Sequence, residues 1–557
     1  MAEMKIDYAE LGKKALLRLE DTAQRADLVQ KCLLEKIISE NCFTEYGKRY
    51  HFSAIKSISG YQEKVPITLY DDYEAYISRI VSGEGGVLVS APSDFFCISS
   101  GTTGEPKYLP LTEKEHQLYY FYACGVVFGT VREYYRDLPE EKVFGKIFQL
   151  GEFAKTYMED GRMKGIRSGA VYQWLDRDGG FDVSDYCAPK EVLFPDNLED
   201  LLYVKVRFAL AERGLRAIHG VFVNRVVGVM EYIYRNWDML LDDMEKGEVD
   251  EKAGVSQKWR TYLKEKLLPN PSRAAELRCL PYKNLRFQMI PKIWPELKYI
   301  QAIGGKAYPY YSRQLEKYKG DIPIHHFVYG ASEGIFGIAA KMDKPDSYIL
   351  FPEAGFFEFL PLAGGDSTRP LCLWELKQGR RYEVLFTNHS GLYRYRMRDV
   401  IKVVGWYYKT PVVRFCYREN MVMNLAGEKS NLEQLEEAVN RFARKYRVQV
   451  KGFCVQEAFS DGMPQYLFYM ECAGKMAGNT ERILEEYLCR LNYEYKCCRK
   501  MNEIGRLRIQ FLRQGSFERY EKYLAGKGVM MGQSKLLRLL DTEEKRQFFA
   551  AEVMRSF

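Results

Sequence analysis

Apolar and polar residues follow a helical period through the first part of the chain. From about Tyr8 to Phe52 they predict helices, with Leu28, Cys32 and Leu33 spaced for one face. The same criteria predict these elements further along: a short helix ending near Ile80, strands at 87–89 and 95–98, a helix at 113–136, a loop at 161–169, and helices at 198–214 and 219–246. The many aromatic residues of the 113–136 helix suit a pocket for an apolar acid, and packing against the core explains them equally well.

The pattern changes to short strands and glycine turns after Pro295. Strands of an antiparallel sheet or barrel are predicted at 297–303, 324–329, 356–360, 371–376, 382–387, 400–404 and 412–417. We therefore expect a mixed α/β fold, with sheets and a β-barrel flanked by helices.

A second pattern begins near residue 420. Ser430 and Glu433 form a capping box for an amphipathic helix. Strands at 448–457 and 465–472, a helix at 480–496, a strand at 507–512 and a helix at 516–525 follow it. This αββαβ order predicts a small mobile lid domain over 424–557 and a large domain over 1–423.

Composition excludes several classes of protein. The 557 residues carry a net charge of +7 without a long run of one sign, so no nucleic-acid or membrane binding is expected. The 13 cysteines are scattered without C-x-x-C pairs, and His325–His326 is the only close pair of histidines. These features predict reduced thiols and no zinc site. The N-terminus lacks an apolar signal core, so we expect a cytoplasmic protein that is a monomer or a weak homo-oligomer.

The first candidate for chemistry is the segment that follows the strand at 95–98. Glycines and hydroxyls in succession can surround phosphate oxygens, and a lysine beyond them can add a positive charge. This segment contains Ser99, Ser100, Gly101, Thr102, Thr103 and Lys107. It is not a Walker loop, because Tyr108 follows the lysine. An ordinary polar turn is the alternative, although a turn needs only one or two such residues.

Three further segments carry candidate site residues. Tyr329–Glu333 follows a predicted strand, and its glutamate can hold Mg²⁺ while its tyrosine can stack on a base. Tyr393–Asp399 offers an aspartate for ribose hydroxyls, or for its own arginine neighbours. Gly532–Lys535 places a lysine near the C-terminus, where it either reaches an active site or faces solvent.

These segments, in this order, resemble those of the adenylate-forming superfamily and, more closely, the acyl acid amido synthetases. The resemblance extends over nearly the whole chain, through 44–47, 65–70, 99–103, 295–300, 329–333, 391–396, 515–517, 533–535 and Arg538. It implies ATP and Mg²⁺ as cofactors and a carboxylic acid and an amino acid as substrates. For the nucleotide it implies phosphate contacts from Ser99 to Lys107, a binding position at Gly304, and adenine contacts from Tyr329, Gly330, Ala331 and Ser332. It also implies that Glu333 is a metal ligand and that Asp399 contacts the ribose. Catalytic roles are implied for Lys429 and Lys535.

The sequence departs from the family pattern at several positions. Arg398 replaces a glycine before Asp399, which costs about 1–2 kcal/mol if that residue has a positive φ. Leu537 and Met163 replace prolines, and the phosphate segment is one residue shorter than in many relatives.

The resemblance predicts a ligase that adenylates a carboxylic acid and passes the acyl group to an amino acid, with release of AMP and pyrophosphate. An acyl-CoA synthetase is an alternative, because its first step is the same. A nucleotide-binding relative that has lost catalysis is a third reading, suggested only by Arg398.

Overall fold

A computed structural model describes most of the chain. The described residues are 6–99, 107–151, 153–195, 201–281, 286–305, 309–362, 369–418, 423, 425, 430, 432–460, 463–474, 478–492, 495–496, 499, 504–527 and 537–554. They form two compact units. The first consists of 1–99, 108–396 and 402–414, and the second of 100–107, 397–401 and 415–557. The predicted boundary at 423/424 and the mobility of the C-terminal part stay predictions.

The helices before residue 420 are α1 Tyr8–Gln24, α2 Ala26–Glu40, α3 Glu45–Arg49, α4 Ile58–Lys64, α5 Glu74–Val81, α6 Glu113–Leu118, α7 Gly125–Tyr134, α8 Glu140–Val143, α9 Arg167–Leu175, α10 Lys190–Leu193, α11 Leu202–Ala211, α12 Val223–Arg235, α13 Trp237–Lys246, α14 Gln257–Lys266, α15 Pro271–Arg278, α16 Met289–Ile293 and α17 Pro309–Lys319. A π-helical segment, Tyr119–Cys124, joins α6 to α7. The predicted helix at 113–136 is therefore present, and Tyr119 and Tyr122 on it are buried.

The strands before residue 420 are β1 Phe95–Ser99, β2 Lys107–Leu111, β3 Ile147–Gln149, β4 Thr156–Tyr157, β5 Met163–Gly165, β6 Ala217–Phe222, β7 Tyr299–Ile303, β8 Ile324–His325, β9 Val328–Ala331, β10 Gly334–Ile338, β11 Tyr348–Leu350, β12 Phe356–Pro361, β13 Leu371–Cys372, β14 Arg381–Thr387, β15 Tyr395–Tyr407 and β16 Thr410–Arg418. They form a four-stranded sheet in the order β2-β1-β5-β4, a second in the order β3-β6-β7-β8, and an eight-stranded sheet in the order β13-β12-β14-β15-β16-β11-β10-β9.

The β3-β6-β7-β8 sheet is parallel throughout. Buried parallel strands need apolar residues on both faces, and Ile147, Ile218, Ile300 and Ile324 supply them. The carboxyl ends of parallel strands meet at one edge, which is where open α/β sheets bind ligands. Gly304 follows β7 at this edge.

The second unit contains a three-stranded sheet and four helices among its described residues. These elements are α18 Leu432–Tyr446, β17 Gln449–Ser460, β18 Met463–Ala473, α19 Thr480–Leu491, β19 Arg508–Phe511, α20 Ser516–Gly526 and α21 Glu543–Ala551. The apolar stripe of α18, with Leu435, Val439 and Phe442, is buried in the core of this unit, and each such side chain contributes about 1.5–3 kcal/mol on burial. The predicted αββαβ order is confirmed, and α21 was not predicted.

Several predictions about local structure are wrong. Strands β7 and β8 belong to a parallel sheet, not to the predicted antiparallel sheet or barrel, and residues 373–375 of the predicted strand at 371–376 form a 3₁₀ turn. Residues 87–89 are buried but form no strand, because their backbone carbonyls are used elsewhere: Val87 O accepts from Tyr46 N of α3, and Leu88 O accepts from the Tyr393 hydroxyl. Residues 219–222 belong to β6, not to a helix. The predicted loop at 161–169 contains β5 and the start of α9.

No helix in the described part of the chain is both long and apolar enough to cross a membrane. The eleven cysteines that the structure describes are all free thiols.

Candidate active site

Strand β1 leads directly into the predicted phosphate segment. Phe95, Phe96 and Cys97 are completely buried, and β1 pairs in parallel with β5 along these three residues. Ser99 ends β1, and Lys107 begins β2. The side chain of Ser99 and all of Ser100, Gly101, Thr102 and Thr103 lie outside the described residues. The two strands that flank the segment in the sequence, β1 and β2, are neighbours in one sheet.

The second predicted segment forms a tight hairpin. Ala331 pairs with Gly334 across β9 and β10, so Ser332 and Glu333 are the two residues of the turn. Both are partly exposed, and Gly330 is exposed. Tyr329 itself is buried, with its ring centroid 5.2 Å from that of Phe336. The hairpin thus leaves Ser332 and Glu333 partly exposed, and the contacts of this segment with adenine and Mg²⁺ stay predictions.

Asn388 fixes the position of Glu333. Its Nδ2 donates to the Glu333 carbonyl at 2.9 Å, and its Oδ1 accepts from Ser390 N and Leu392 N, each at 2.9 Å. An asparagine that bonds its own following backbone in this way forms a rigid turn. The Tyr395 hydroxyl lies 3.4 Å from Glu333 Oε1. Glu333 is therefore held at its backbone by Asn388 and at its carboxylate by Tyr395.

Cys97 shows that this turn lies beside the end of β1. Burial raises the pKa of the Cys97 thiol to about 12, and the charge of Arg167 and a hydrogen bond with Ser332 oppose the rise, while Glu333 adds to it. These side chains must be neighbours for their charges and hydrogen bonds to act on one thiol. Segments near residues 97, 167 and 332 thus meet at one place within the first unit.

Arg167 and Asn388 were not predicted from the sequence. Arg167 begins α9 and forms a buried ion pair with Glu115, with Nη2 2.6 Å from Oε2. No sequence signal distinguishes it from the many surface arginines. Asn388 had a weak signal, since an asparagine directly after a strand favours a turn of this kind.

Gly304 occupies a position where a larger residue would not fit. A Cβ there would come within 2.8 Å of the Val223 side chain and 3.1 Å of Ser312 Oγ. The next residue, Gly305, has φ +80°, and its N–H donates to Ser312 Oγ at 3.0 Å. The backbone at the carboxyl end of β7 therefore packs closely against α12 and α17, and a nucleotide contact at Gly304 stays a prediction.

Asp399 has several arginines close to it in the sequence. Arg394 bonds Glu358, with Nε 3.0 Å from Oε2, and Arg396 bonds Glu383, with Nε 2.6 Å from Oε1. Two of the arginine neighbours are thus engaged with other carboxylates. Asp399 itself is buried, with 1% of its surface exposed.

Arg398 has φ 57°. Arg398 thus has the positive φ that strains an arginine where the family has a glycine, and the expected cost is about 1–2 kcal/mol.

Lys429 and Lys535, the predicted catalytic residues, lie outside the described residues. Their neighbours in sequence are held firmly within the second unit. Ser430 is completely buried and accepts from Asn492 Nδ2 at 2.9 Å. Arg538 is buried, and its Nε donates to Glu436 Oε1 at 2.9 Å.

A bound magnesium ion would fit Glu333. Mg²⁺ usually takes one or two carboxylates together with phosphate oxygens and water, and rarely a full set of protein ligands. In the described part of the chain no three His, Cys, Asp or Glu side chains cluster as metal ligands. The single partly exposed carboxylate of Glu333 meets the smaller requirement.

Three parts of the sequence match the domains of a known protein family. The GH3 family N-terminal domain matches residues 15–324, more than half of the chain. The chain belongs to the GH3 family. The GH3 central domain matches residues 348–418, and the GH3 C-terminal domain matches residues 433–544.

Named GH3 relatives are similar along the whole chain. It is 27% identical to a jasmonoyl–L-amino acid synthetase, JAR6 of Nicotiana attenuata, over 94% of this chain and 92% of the relative. It is 28% identical to the 4-substituted benzoates–glutamate ligase GH3.12 of Arabidopsis thaliana, over 97% of each chain. The solved GH3.15 acyl acid amido synthetase superposes with a TM-score of 0.84 at 23% identity, covering 98% of this chain and 97% of that one.

Two predictions are confirmed by these comparisons. The resemblance to the acyl acid amido synthetases is confirmed by GH3 membership, and the mixed α/β fold of that group is confirmed by the superposition. The roles of individual site residues stay predictions.

Proposed function

We propose that this GH3 protein is an acyl acid amido synthetase that uses ATP and Mg²⁺. It activates a carboxylic acid as its adenylate and transfers the acyl group to the amine of an amino acid. The names of its relatives support this class of reaction, since they join jasmonate or benzoates to amino acids. The free cysteines are consistent with a cytoplasmic location.

The first step joins two anions. A carboxylate oxygen of the acid attacks the α-phosphorus of ATP, a P–O bond forms, and the bond to pyrophosphate breaks. Negative charge on the phosphates must be offset while this occurs. We assign this task to the backbone N–H groups and hydroxyls from Ser99 to Thr103 and to Lys107 and Lys535. A magnesium ion on Glu333 would supply further positive charge to the phosphates.

The second step forms the amide. The amine nitrogen attacks the acyl carbon, the bond to AMP breaks, and the amine loses a proton. In this scheme Ser332, Ala331, Gly330, Tyr329 and Gly304 hold the adenine side of the nucleotide, and Asp399 binds the ribose. Lys429 and Lys535 lie on the second unit, and its movement would let one site carry out both steps.

One observation carries the proposal. The Ser332–Glu333 turn lies beside Cys97 of β1, where Ser332 forms a hydrogen bond with the thiol and Glu333 contributes to its raised pKa, although more than 200 residues separate the turn from Cys97 in the sequence. The carboxylate that we assign to the metal therefore lies near β1, the strand that leads into the segment assigned to the phosphates. This is the arrangement that nucleotide activation requires.

The proposal is tested by acid-dependent exchange of label between pyrophosphate and ATP. Benzoates, indole acids, jasmonate and fatty acids should be supplied one at a time, and the product identified by mass spectrometry with amino acids or CoA present. We expect exchange with at least one acid and an amide product. Exchange followed by a CoA thioester would show a thioester-forming synthetase, and no exchange with any acid would contradict the proposal.

Glu333 provides the matched test of the metal site. E333Q removes the charge and keeps the shape, and we expect exchange to fall by about 100-fold or more, partly recovered at high Mg²⁺. E316Q, on the exposed face of α17 where Glu316 pairs with Lys319, should leave exchange unchanged.

A further inference from the structure

Arg167 differs from every other buried arginine that the structure describes. Arg207, Arg273, Arg394 and Arg538 each donate at least two hydrogen bonds. Arg167 is 8% exposed and donates one, from Nη2 to Glu115. Its Nε and Nη1 are buried and have no hydrogen-bond partner among the described residues.

Unpaired donors on a buried cation call for a partner. A guanidinium group has five N–H bonds, and leaving buried polar groups unsatisfied is costly, more so when the group is charged. The described side chains near Arg167 do not satisfy its free N–H groups. Glu115 accepts only from Nη2, and the Tyr119 ring, whose centroid is 5.8 Å from Cζ of Arg167, offers only its face. An oxyanion is the ligand that would satisfy the free N–H groups.

The surroundings of Arg167 join the nucleotide site to an aromatic wall. On one side lies the Cys97 thiol, which also forms a hydrogen bond with Ser332 and whose pKa is raised by the charge of Glu333. On the other lies Tyr119 of the π-helical segment, whose ring is 6.5 Å from that of Phe327. A substrate held at Arg167 would therefore have an apolar surface on one side and the Ser332–Glu333 turn on the other.

We propose that Arg167 binds the carboxylate of the acid substrate and holds it beside the α-phosphate, with Glu115 fixing the guanidinium in place. The inference rests on the proposed function and adds to it the residue that recognises the acid. Glu115 is itself held by the backbone N–H of His389, which donates to Glu115 Oε1 at 3.3 Å. Since Glu115 balances the charge of Arg167, the pair suits a monoanionic carboxylate better than the highly charged triphosphate.

The first test measures steady-state exchange in R167K and R167M, with the acid among benzoate, indole-3-acetate and octanoate that the unaltered enzyme uses best. R167K keeps the charge and loses the planar fork. We expect the KM for the acid to rise about 10- to 100-fold, as for the loss of a charge-assisted hydrogen bond, with little change in the KM for ATP.

R207K is the matched control. Arg207 is buried to a similar degree and pairs with Asp243, but its partners lie on α11, α13 and residue 248. We expect R207K to lower the melting temperature without changing either KM. An unchanged acid KM in R167K would overturn the inference, as would a rise in the amino acid KM alone or equal losses for acid and ATP.

The second test does not depend on turnover. In the presence of AMP, binding of the same acid and of its primary amide is measured by calorimetry. The unaltered protein should prefer the acid, and R167M should lose most of that preference while still binding AMP. If R167M does not fold, R167K decides the question with the same pair of ligands. Should the unaltered protein show no exchange with any acid, the proposed function itself fails; exchange with unchanged acid preference in the variants overturns only the role of Arg167.

Discussion

Asn388 donates a hydrogen bond to the backbone carbonyl of Glu333 at 2.9 Å. One asparagine thereby ties the β9–β10 turn to the turn that follows β14. The carboxylate assigned to the metal is thus positioned by a residue 55 positions away in the sequence. A turn held in this way would let the partly exposed Glu333 bind the Mg²⁺ ion that we propose for this site.

Replacement of Asn388 should therefore affect magnesium more than nucleotide. N388A removes the hydrogen bond and frees the turn, and we expect the Mg²⁺ concentration for half-maximal exchange to rise several-fold, because the carboxylate loses its fixed orientation. N41A is the control: Asn41 is also buried and accepts from Ser90 N at 2.8 Å, at a place remote in sequence from these turns. Equal magnesium dependence in both variants would show that Asn388 serves stability alone.

The left-handed backbone of Arg398 predicts a gain from glycine. R398G should raise the free energy of unfolding by up to about 1 kcal/mol, since φ 57° strains an arginine and not a glycine. Urea unfolding measures the effect. R381G, at an exposed strand position without a positive φ, should instead lower stability. If R398G also restores ATP affinity from a weak starting value, the reading of a catalytically impaired relative gains support.

Two ion pairs of the same sheet should differ in what their loss costs. Arg394 and Glu358 are 4% and 1% exposed, and Arg394 also donates to Gln62 O and Val65 O. E358A leaves this buried cation without its carboxylate, at a cost of about 3–5 kcal/mol. E383A removes the partner of Arg396, whose side chain is 37% exposed, and should cost about 1 kcal/mol. Similar urea midpoints for the two variants would contradict this ranking.

Buried histidines should make the protein sensitive to mild acid. Burial lowers the pKa of His325 to about 3, and His219 and His326 are shifted in the same direction. Because the folded pKa is below that of the unfolded chain, nothing is lost above about pH 6.5, and stability falls as the pH drops from there toward the folded pKa. Each such histidine contributes a slope of up to about 1.4 kcal/mol per pH unit.

H325N tests one of these groups. The Oδ1 of asparagine can accept from Phe327 N in place of the histidine Nδ1, which accepts at 3.0 Å. The free energy of unfolding should fall between about pH 6 and 5. We expect this fall to be smaller in H325N, because one fewer histidine takes up a proton on unfolding. Gln301 pairs with His325 in register, so Q301N controls for packing and should leave the slope as it is. An unchanged slope in H325N would show that His325 binds its proton in the folded protein as readily as in the unfolded chain.

Periodicity was sufficient to predict much of the fold. The amphipathic stripe with Leu435 and Phe442 identified α18 because its apolar residues face a single core. Residues 87–89 have the same apolar character as a strand, yet their carbonyls bond α3 and Tyr393. Local pattern does not tell which partner takes a backbone group, so this element could not be decided from sequence.

The site was predictable only where its residues form short motifs. Glu333 stands in such a motif, between a strand and a glycine. Arg167 has no motif, and its importance comes from burial beside Cys97 and Tyr119, which only the fold produces. Asn388 likewise acts through a contact over a long sequence separation.

A crystal structure with AMP and an activating acid tests the central claim most directly. The account predicts the AMP phosphate at the end of β1, the adenine along Gly330–Ser332, and Glu333 facing the phosphate. AMP bound at another surface of the protein, with Ser332 and Glu333 more than about 10 Å from any of its atoms, beyond the reach of a hydrogen bond or a bridging water, would contradict it.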